Sequence, residues 1–177
     1  MSSPSADQES LFQSWLEEHG GIFMKVSRSF AHSEVEVGEL QQEMLFQLWV
    51  SLPRYAGQAK ASTWIYRVCL NTALTWRRGA QRRERWIEPE ADIARLAVEA
   101  ATPAETAGNK DLLEQLYSAL QAMPESERAL VLLMLDGLSY REMAEVTGLT
   151  ENHVGVALTR ARKHLATLLK GVTDELE

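Results

Sequence analysis

The chain has 177 residues, a formal net charge of −7 and a hydrophobic fraction of 45%. Its length suits one or two small domains, and its hydrophobic fraction excludes a disordered chain. It has no run of ~18 apolar residues, so the sequence predicts no membrane span. A single cysteine, Cys69, excludes a disulfide within the chain and favours a reducing cytoplasm, and the polar N-terminus predicts no signal peptide.

Charge is distributed in blocks of alternating sign. The net charges are −6 for residues 1–53, +7 for 54–86, −7 for 87–127, +2 for 128–170 and −3 for 171–177. One strongly basic segment therefore stands in an acidic chain. Because the local distribution of charge decides nucleic-acid binding more than the total does, the acidic total does not exclude it.

Helical periodicity runs through the first part of the chain, and no strand alternation interrupts it. Residues 8–31 predict a helix pair or one kinked helix, because Gly20 and Gly21 interrupt the apolar stripe. Residues 34–51 predict a second helix. The following "LPRYAGQAKAS" contains Pro and Gly and predicts a loop.

The basic segment 62–86 predicts a long helix that Ser62 caps. One face is apolar and predicted to be buried; its residues are Trp64, Ile65, Val68, Cys69, Thr72, Ala73 and Trp76. Arg67, Asn71 and Arg78 share a different face. Guanidinium groups bind phosphate and Asn can bind a base edge at two points, so this face suits a nucleic-acid strand.

Two other interpretations of the basic helix remain open. It could present a solvated face, with its tryptophans packed in a core. It could also lie on a membrane surface, although the acidic flanking segments and Asn71 favour that less.

From Ile87 the composition becomes acidic and alanine-rich, and two prolines predict a linker over 87–110. The sequence therefore predicts an all-α protein with a domain at 1–86 and a second, four-helix domain at 111–177. In the second domain a leucine-rich helix stops before Pro124, and three short helices are predicted at about 125–136, 139–147 and 151–169.

The segment "LSYREMAEVTGLTENHVGVALTRARKHL" has the pattern of a helix-turn-helix. Ser139 and Glu142 form a capping box, and Gly148 suits the left-handed backbone of the turn. Thr150 caps the next helix, whose inward positions are Val154, Leu158 and Ala161. The second helix of this motif reads the major groove with its first residues, here 151–156, and Arg160, Arg162 and Lys163 can reach phosphates. An ordinary helical hairpin is the alternative.

Several functional classes find no support in the sequence. It shows no nucleophile–base pair and no Gly-rich phosphate loop, so we expect no catalytic residue, no cofactor and no enzymatic activity. His19, His32 and His164 have no ligand spacing with Cys69 or with each other, so we expect no metal site. Cys69 is predicted to be structural.

The two motifs, in this order, resemble the extracytoplasmic-function (ECF) class of bacterial sigma factors over nearly the whole chain. "ELQQEMLFQLW" is similar to the family's core-binding helix, "RYAGQAKASTWIYRVCLNTA" to its promoter-melting segment, and the segment from Met123 to Leu165 to its promoter-docking domain. The resemblance implies a subunit that directs RNA polymerase to promoters.

The resemblance also implies site residues. Those matching the contact with core polymerase are Glu39, Leu40, Gln42, Glu43 and Phe46. Those matching recognition and melting of the minus-ten element are Tyr55, Gln58, Lys60, Ser62, Arg67, Asn71 and Arg78. Those matching the minus-thirty-five element are Glu151, Asn152, His153, Gly155, Val156, Thr159, Arg160 and Lys163.

The implied partners are the clamp helices and flap of RNA polymerase core, promoter DNA and an anti-sigma protein. We expect no membrane insertion and a monomer when the chain is free. The acidic linker would run through a positively charged polymerase channel. A free-standing helix-turn-helix regulator with an N-terminal sensor or dimerisation domain, and an interaction protein without promoter function, are the alternatives.

This sequence departs from the family pattern in two places. Lys60-Ala61 stands where many members carry an aromatic in the melting loop, which changes the expected base pocket. Glu151, Gly155 and Ala157 stand where many members have basic residues. Readout there is expected to depend on Asn152 and His153 or on DNA shape.

Overall fold

The computed structural model describes residues 6–86 and 107–174, with side chains from 6 to 79 and from 112 to 170. The α-helices are α1 (Ala6–Phe30), α2 (Glu34–Ser51), α3 (Ala61–Trp86), α4 (Ala107–Ala122), α5 (Glu125–Leu135), α6 (Tyr140–Thr147) and α7 (Glu151–Asp174), with a short 3₁₀ helix at Leu52–Arg54. Within these ranges there is no strand, so the prediction of an all-α protein is confirmed.

Helix α1 is continuous, so of the two predicted alternatives the helix pair is wrong and a single helix is correct. Gly20 and Gly21 lie inside it. Each glycine costs a helix only about 1 kcal/mol relative to alanine. The apolar residues that follow, Ile22, Phe23 and Val26, are buried and hold the helix through tertiary packing.

Helix α3 begins at Ala61, so the predicted cap at Ser62 is also wrong. The Trp64 N–H donates to the Lys60 carbonyl at 3.0 Å, which makes Lys60 the residue before the first turn. Ile65, Cys69 and Ala73 are fully buried, so α3 packs its apolar side into the first domain, made of α1, α2 and α3.

The second domain consists of α4 to α7. Helix α4 starts at Ala107, before the predicted end of the linker at residue 110, and the rest of that linker (87–106) lies outside the described residues. The core of this domain is fully buried and contains Val131, Leu133 and Leu158.

The helix-turn-helix has the predicted local geometry. Ser139 and Glu142 form the capping box of α6, and Gly148 ends that helix at φ 76°. The Thr150 hydroxyl accepts the His153 N–H at 3.3 Å at the start of α7. Val154, Leu158 and Ala161 are fully buried, as predicted for the inward positions of the second helix of the motif.

The two domains pack against each other, α1 on α4 and α5, and α3 on α5 and α6. The C-terminal carbonyls of α1 accept hydrogen bonds from the second domain. Gln121 Nε2 donates to the carbonyls of Arg28 and Ala31, both at 2.8 Å, and Arg128 Nη1 donates to that of Ser29 at 3.1 Å. Because the last carbonyls of a helix have no partner within it, the second domain completes α1.

Candidate polymerase and nucleic-acid interfaces

Helix α2 exposes most of the residues that match a polymerase contact. Glu39, Gln42 and Glu43 are exposed, and the Phe46 side chain is 58% exposed. Leu40 is fully buried in the core of the first domain and offers no surface to a partner. The exposed set therefore combines polar groups with one large apolar ring, a composition that suits a protein partner.

The loop from Tyr55 to Lys60 is held by an aromatic cluster. The Tyr55 ring meets the rings of Trp15 and Trp64 edge-on, with centroids 4.8 and 5.5 Å apart. Its hydroxyl donates to the Ala59 carbonyl at 2.8 Å, and Gly57 adopts a left-handed φ of 73°. Tyr55 therefore shapes the loop from within, while Gln58 and Lys60 are exposed and Ser62 is half-buried.

Helix α3 presents the predicted polar face. Arg67, Asn71 and Arg78 are all exposed, on the side away from the buried Cys69 and Ala73. Because these three side chains recur at helical spacing, the face forms one continuous row of two cations and an amide. A nucleic-acid strand laid along it could meet phosphate-binding and base-binding groups together.

The recognition helix α7 exposes nearly all of its predicted contact residues. Glu151, Asn152, His153, Val156, Thr159, Arg160 and Lys163 are exposed. Gly155 is half-buried, and a β-carbon built there would lie 3.3 Å from the Tyr140 ring of α6. Gly155 therefore lies where α6 and α7 approach each other closely, a contact that the sequence did not predict.

One cation of the recognition helix is engaged inside its own domain. Arg160 Nε lies 3.1 Å from Oε1 of Glu127, whose other oxygen lies 2.8 Å from His164 Nδ1. The Glu127 side chain is nearly buried, so this carboxylate anchors Arg160 against α5. Arg162 similarly donates to the sulfur of Met134 at 2.8 Å.

Residues of the two predicted DNA surfaces line one groove between the domains. Its volume is about 460 Å³. Asn71 lines it from α3, and His153, Val156 and Arg160 line it from α7. Most of the remaining wall is apolar.

Lys60 forms an ion pair with the other domain. Its Nζ lies 2.6 Å from Oε1 of Glu142, the capping residue of α6. The hydrogen bond from Lys60, followed by those from Ser139, lowers the pKa of the Glu142 carboxyl to about 2. Glu142 in turn raises the pKa of the Lys60 ammonium. The loop predicted to capture a DNA base is therefore attached to the helix-turn-helix.

Three further findings concern metal binding, thiol reactivity and membrane crossing in the described part of the chain. The described residues contain no group of three or more His, Cys, Asp or Glu that could hold a metal ion. Burial raises the pKa of the Cys69 thiol, which leaves it a poor nucleophile. No helix among residues 6–86 and 107–174 is long and apolar enough to cross a membrane.

Two family models match the chain. The Sigma-70 region 2 family matches residues 15–83, and the Sigma-70 region 4 family matches residues 113–165. The first match covers most of α1, all of α2 and most of α3, and the second covers the helix-turn-helix. The two matches follow the two packed domains of the structure.

Curated relatives of the chain are also sigma factors by their names. The ECF RNA polymerase sigma factor SigG of Mycobacterium tuberculosis is 30% identical over 163 residues, which cover 78% of this chain and 43% of SigG. The ECF RNA polymerase sigma-E factor of Escherichia coli K12 is 26% identical over 139 residues, covering 72% of this chain and 71% of that protein. The chain thus spans less than half of SigG and most of sigma-E.

Two solved structures share the fold. CnrH, in complex with the cytosolic domain of CnrY, matches with a TM-score of 0.64 and 23% identity, over 92% of this chain and 90% of that one. RpoE of Bartonella quintana, in complex with the anti-sigma factor NepR, matches with a TM-score of 0.69 and 19% identity, over 94% and 98%. From the region 2 and region 4 domains in this order and from these relatives, we conclude that the chain belongs to the ECF class of sigma factors.

Proposed function

We propose that the chain binds RNA polymerase core, directs it to specific promoters and helps to open the DNA there. The observation that supports this most is the α3 face of Arg67, Asn71 and Arg78, exposed in a domain that matches region 2. A regulator that only bound duplex DNA would need the helix-turn-helix alone. A strand-binding face in the other domain adds the capacity to hold DNA once it is unpaired.

Core polymerase would bind on α2. The proposed contacts are Glu39, Gln42, Glu43 and Phe46; Leu40 is left out because its side chain is fully buried. Phe46 is the apolar anchor, since aromatic side chains supply much of the binding energy at protein interfaces. Polar neighbours would then fix the orientation of the polymerase clamp helices.

The two DNA elements would be read by different domains. The loop residues Gln58 and Lys60 and the α3 face would contact the unpaired minus-ten strand, with Tyr55 shaping the loop. In α7, Asn152, His153, Val156 and Thr159 would face bases of the minus-thirty-five element, with Arg160 and Lys163 on phosphates. Glu151 opens that helix beside them and would disfavour close phosphates.

The proposal also covers the cellular location, the regulatory partner and the domain bounds of the chain. We place it in the cytoplasm as a transcription initiation factor without catalytic activity of its own. An anti-sigma protein is a proposed partner, since RpoE was solved with the anti-sigma factor NepR bound. The proposed domain bounds are 1–86 and 107–177, with the intervening acidic segment as the linker.

Transcription with purified core polymerase on a promoter library tests the proposal. Run-off products that require this chain are the expected result, and a failure to bind core would refute it. Phe46→Ala should weaken core binding at least tenfold, by about 2 kcal/mol, as expected for an aromatic anchor. Val35→Ala, an exposed residue at the start of the same helix, is the control.

The α3 face is tested separately by the double variant Arg67→Ala/Asn71→Ala. Loss of one phosphate contact and one base contact should reduce open-complex formation at least tenfold, at about 1–3 kcal/mol for the base contact. Core binding should stay unchanged. Gln13→Ala/Glu17→Ala, two exposed residues of α1 in the same domain, is the matched control. Unchanged promoter melting in the double variant would show that these residues are not the strand contacts.

A further inference from the structure

A carboxylate of α5 lies beneath the recognition helix. Glu127 is in the first turn of α5 and is only 8% exposed. Both of its oxygens are used by α7: Oε1 lies 3.1 Å from Arg160 Nε, and Oε2 lies 2.8 Å from His164 Nδ1. Arg160 and His164 are one helical turn apart, so a single carboxylate contacts two successive turns of the helix that is proposed to read DNA.

Stability alone explains this carboxylate poorly. The Arg160 side chain is 73% exposed, and ion pairs of exposed side chains contribute little to the free energy of unfolding. Removing a carboxylate from water costs free energy, and an apolar side chain of similar size at position 127 would avoid that cost. A nearly buried acid paired with an exposed arginine therefore indicates a role in what Arg160 binds.

The contact fixes which edge of the Arg160 guanidinium faces outward. A guanidinium is planar, with one N–H on Nε and two on each Nη, and its Nη1–Nη2 edge lies opposite Nε. Nε is directed to Glu127, and neither Nη atom has a hydrogen bond or ion pair within residues 6–79 and 112–170. The outer edge is therefore open to a two-point contact with a phosphate, the geometry that gives arginine its strongest phosphate contacts.

Glu127 has two effects on DNA binding, of opposite sign. Its negative charge repels the phosphates that α7 would contact. Its contact with Arg160 holds that side chain before DNA arrives, so less side-chain freedom is lost on binding. A phosphate at the outer edge lies across the guanidinium from the carboxylate, so the repulsion acts over the longer distance and is screened more by salt. The favourable effect is therefore the larger one.

We infer that Glu127 is a positioning residue for DNA binding, which directs the outer edge of the Arg160 guanidinium to a phosphate beside the minus-thirty-five element. His164 holds the second oxygen and keeps the carboxylate in the orientation that meets Arg160. This role rests on the proposed function, because it takes Arg160 as a phosphate contact. It extends the DNA-binding residues to α5, a helix in which the sequence indicated none.

Two substitutions of Glu127 separate the contact from the charge. Glu127→Gln removes the charge but keeps an oxygen for Arg160 Nε, and its amide N–H can donate to His164, whose ring accepts at Nδ1 in one neutral tautomer. Glu127→Leu removes the charge and the acceptor together. Because both variants lose one negative charge, the electrostatic effect on DNA affinity is the same in both. The difference between them measures the contact with Arg160.

Affinity is measured by fluorescence anisotropy at low salt, with the full-length chain and a 40-base-pair duplex of arbitrary sequence, since phosphate contacts carry no sequence information. Glu127→Leu should bind the duplex at least about threefold more weakly than Glu127→Gln, as expected for residues in contact. Arg160→Lys should weaken binding at least about threefold in the wild type, because lysine cannot make the two-point contact. In the Glu127→Leu background the same substitution should have little effect.

Lys163 supplies the control for this comparison. It lies three positions after Arg160, is exposed, and has no ion pair among the described residues. Lys163→Ala should weaken duplex binding by the same factor in the wild type and in both Glu127 variants. General damage to the domain would instead alter the effects of the Arg160 and Lys163 substitutions together.

A second measurement needs no variant and decides the question even where Glu127→Leu fails to fold. NMR relaxation of the Arg160 Nε–Hε group in the free wild-type chain should give an order parameter closer to the ~0.85 of rigid backbone than to the values below ~0.6 of mobile groups. Arg67, exposed on α3 and in no ion pair within the described ranges, should be mobile by the same measurement.

Three results would overturn the inference. They are a mobile Arg160 in the wild type, duplex binding by Glu127→Leu as tight as that by Glu127→Gln or tighter, and an equal effect of Arg160→Lys in the wild type and in Glu127→Leu. Neither measurement needs core polymerase or a promoter. Failure of the proposed function is therefore distinguishable, since it appears as absent core binding and absent run-off products while these results persist.

Discussion

Replacing Arg128 with methionine should destabilise the protein strongly, although Arg128 is not among the residues predicted to contact DNA. Its guanidinium donates to the carbonyls of Leu120, Gln121 and Met123 at 2.7 to 2.9 Å, and to that of Ser29. Leu120 and Gln121 lie in the last turn of α4. One side chain therefore closes the ends of two helices.

The expected cost follows from the acceptors that the substitution leaves unpaired. Three of the four contacts are buried, and an unsatisfied buried acceptor costs about 1–3 kcal/mol. Burial lowers the pKa of Arg128, so the guanidinium is held at some desolvation cost, which methionine removes. We therefore expect a loss near the low end, about 3 kcal/mol, and a Tm lower by about 6–12 °C.

Urea denaturation followed by circular dichroism, with calorimetry for Tm, measures this loss. Arg141→Met is the control, because Arg141 is exposed and, among the described residues, forms an ion pair with Glu145 one turn away, an interaction worth about 0.3–0.5 kcal/mol in general. A loss below about 1 kcal/mol for Arg128→Met would refute the capping argument.

The remaining predictions concern Glu142 and Gly148. Because the folded pKa of Glu142 is about 2, below its ordinary value of 4.5, the stability from its ionised form is complete above pH 4.5 and is lost as pH falls towards 2. Carboxyl NMR titration should find that low pKa, and Lys60→Gln should raise it; an unchanged value in that variant would exclude the ion pair. Gly148→Ala should cost about 1 kcal/mol in urea denaturation, because φ is 76° while nothing lies within 4 Å of an added β-carbon. The control is Gly38→Ala, because Gly38 lies in α2 with helical φ and also has nothing within 4 Å of an added β-carbon. An equal loss of stability in the two variants would contradict the argument from the φ of Gly148.

The sequence predicts local features well where one residue type has one physical use. The capping box, the left-handed Gly148 and the inward positions of α7 depend on neighbours within a few residues, and all are confirmed. The wrong predictions at Gly20-Gly21 and at Ser62 have a different origin. The predicted break at the glycines relied on local propensity, which the packing of Ile22, Phe23 and Val26 overrides. The predicted cap relied on the preference of serine for that position, and the first turn begins at Lys60 instead.

Contacts between distant residues were not predictable. Asp136 meets Lys25 and Tyr66 across 111 and 70 positions, and nothing in a lone aspartate at a helix end indicates those partners. The ion pair between the Glu127 carboxylate of α5 and Arg160 of α7 was not predictable from the sequence either. Which of the predicted DNA residues are exposed followed from helical periodicity, but which are already engaged required the structure.

The close approach of Gly155 to Tyr140 limits how promoter preference can change. Position 155 lies among the residues with which α7 would read bases, and a β-carbon there would lie 3.3 Å from the Tyr140 ring, which would have to shift by a few tenths of an ångström. Positions 152, 153, 156 and 159 are exposed and carry no such contact, so a change of specificity there needs no movement of α6. A library for orthogonal promoters should hold 155 constant or vary it together with 140.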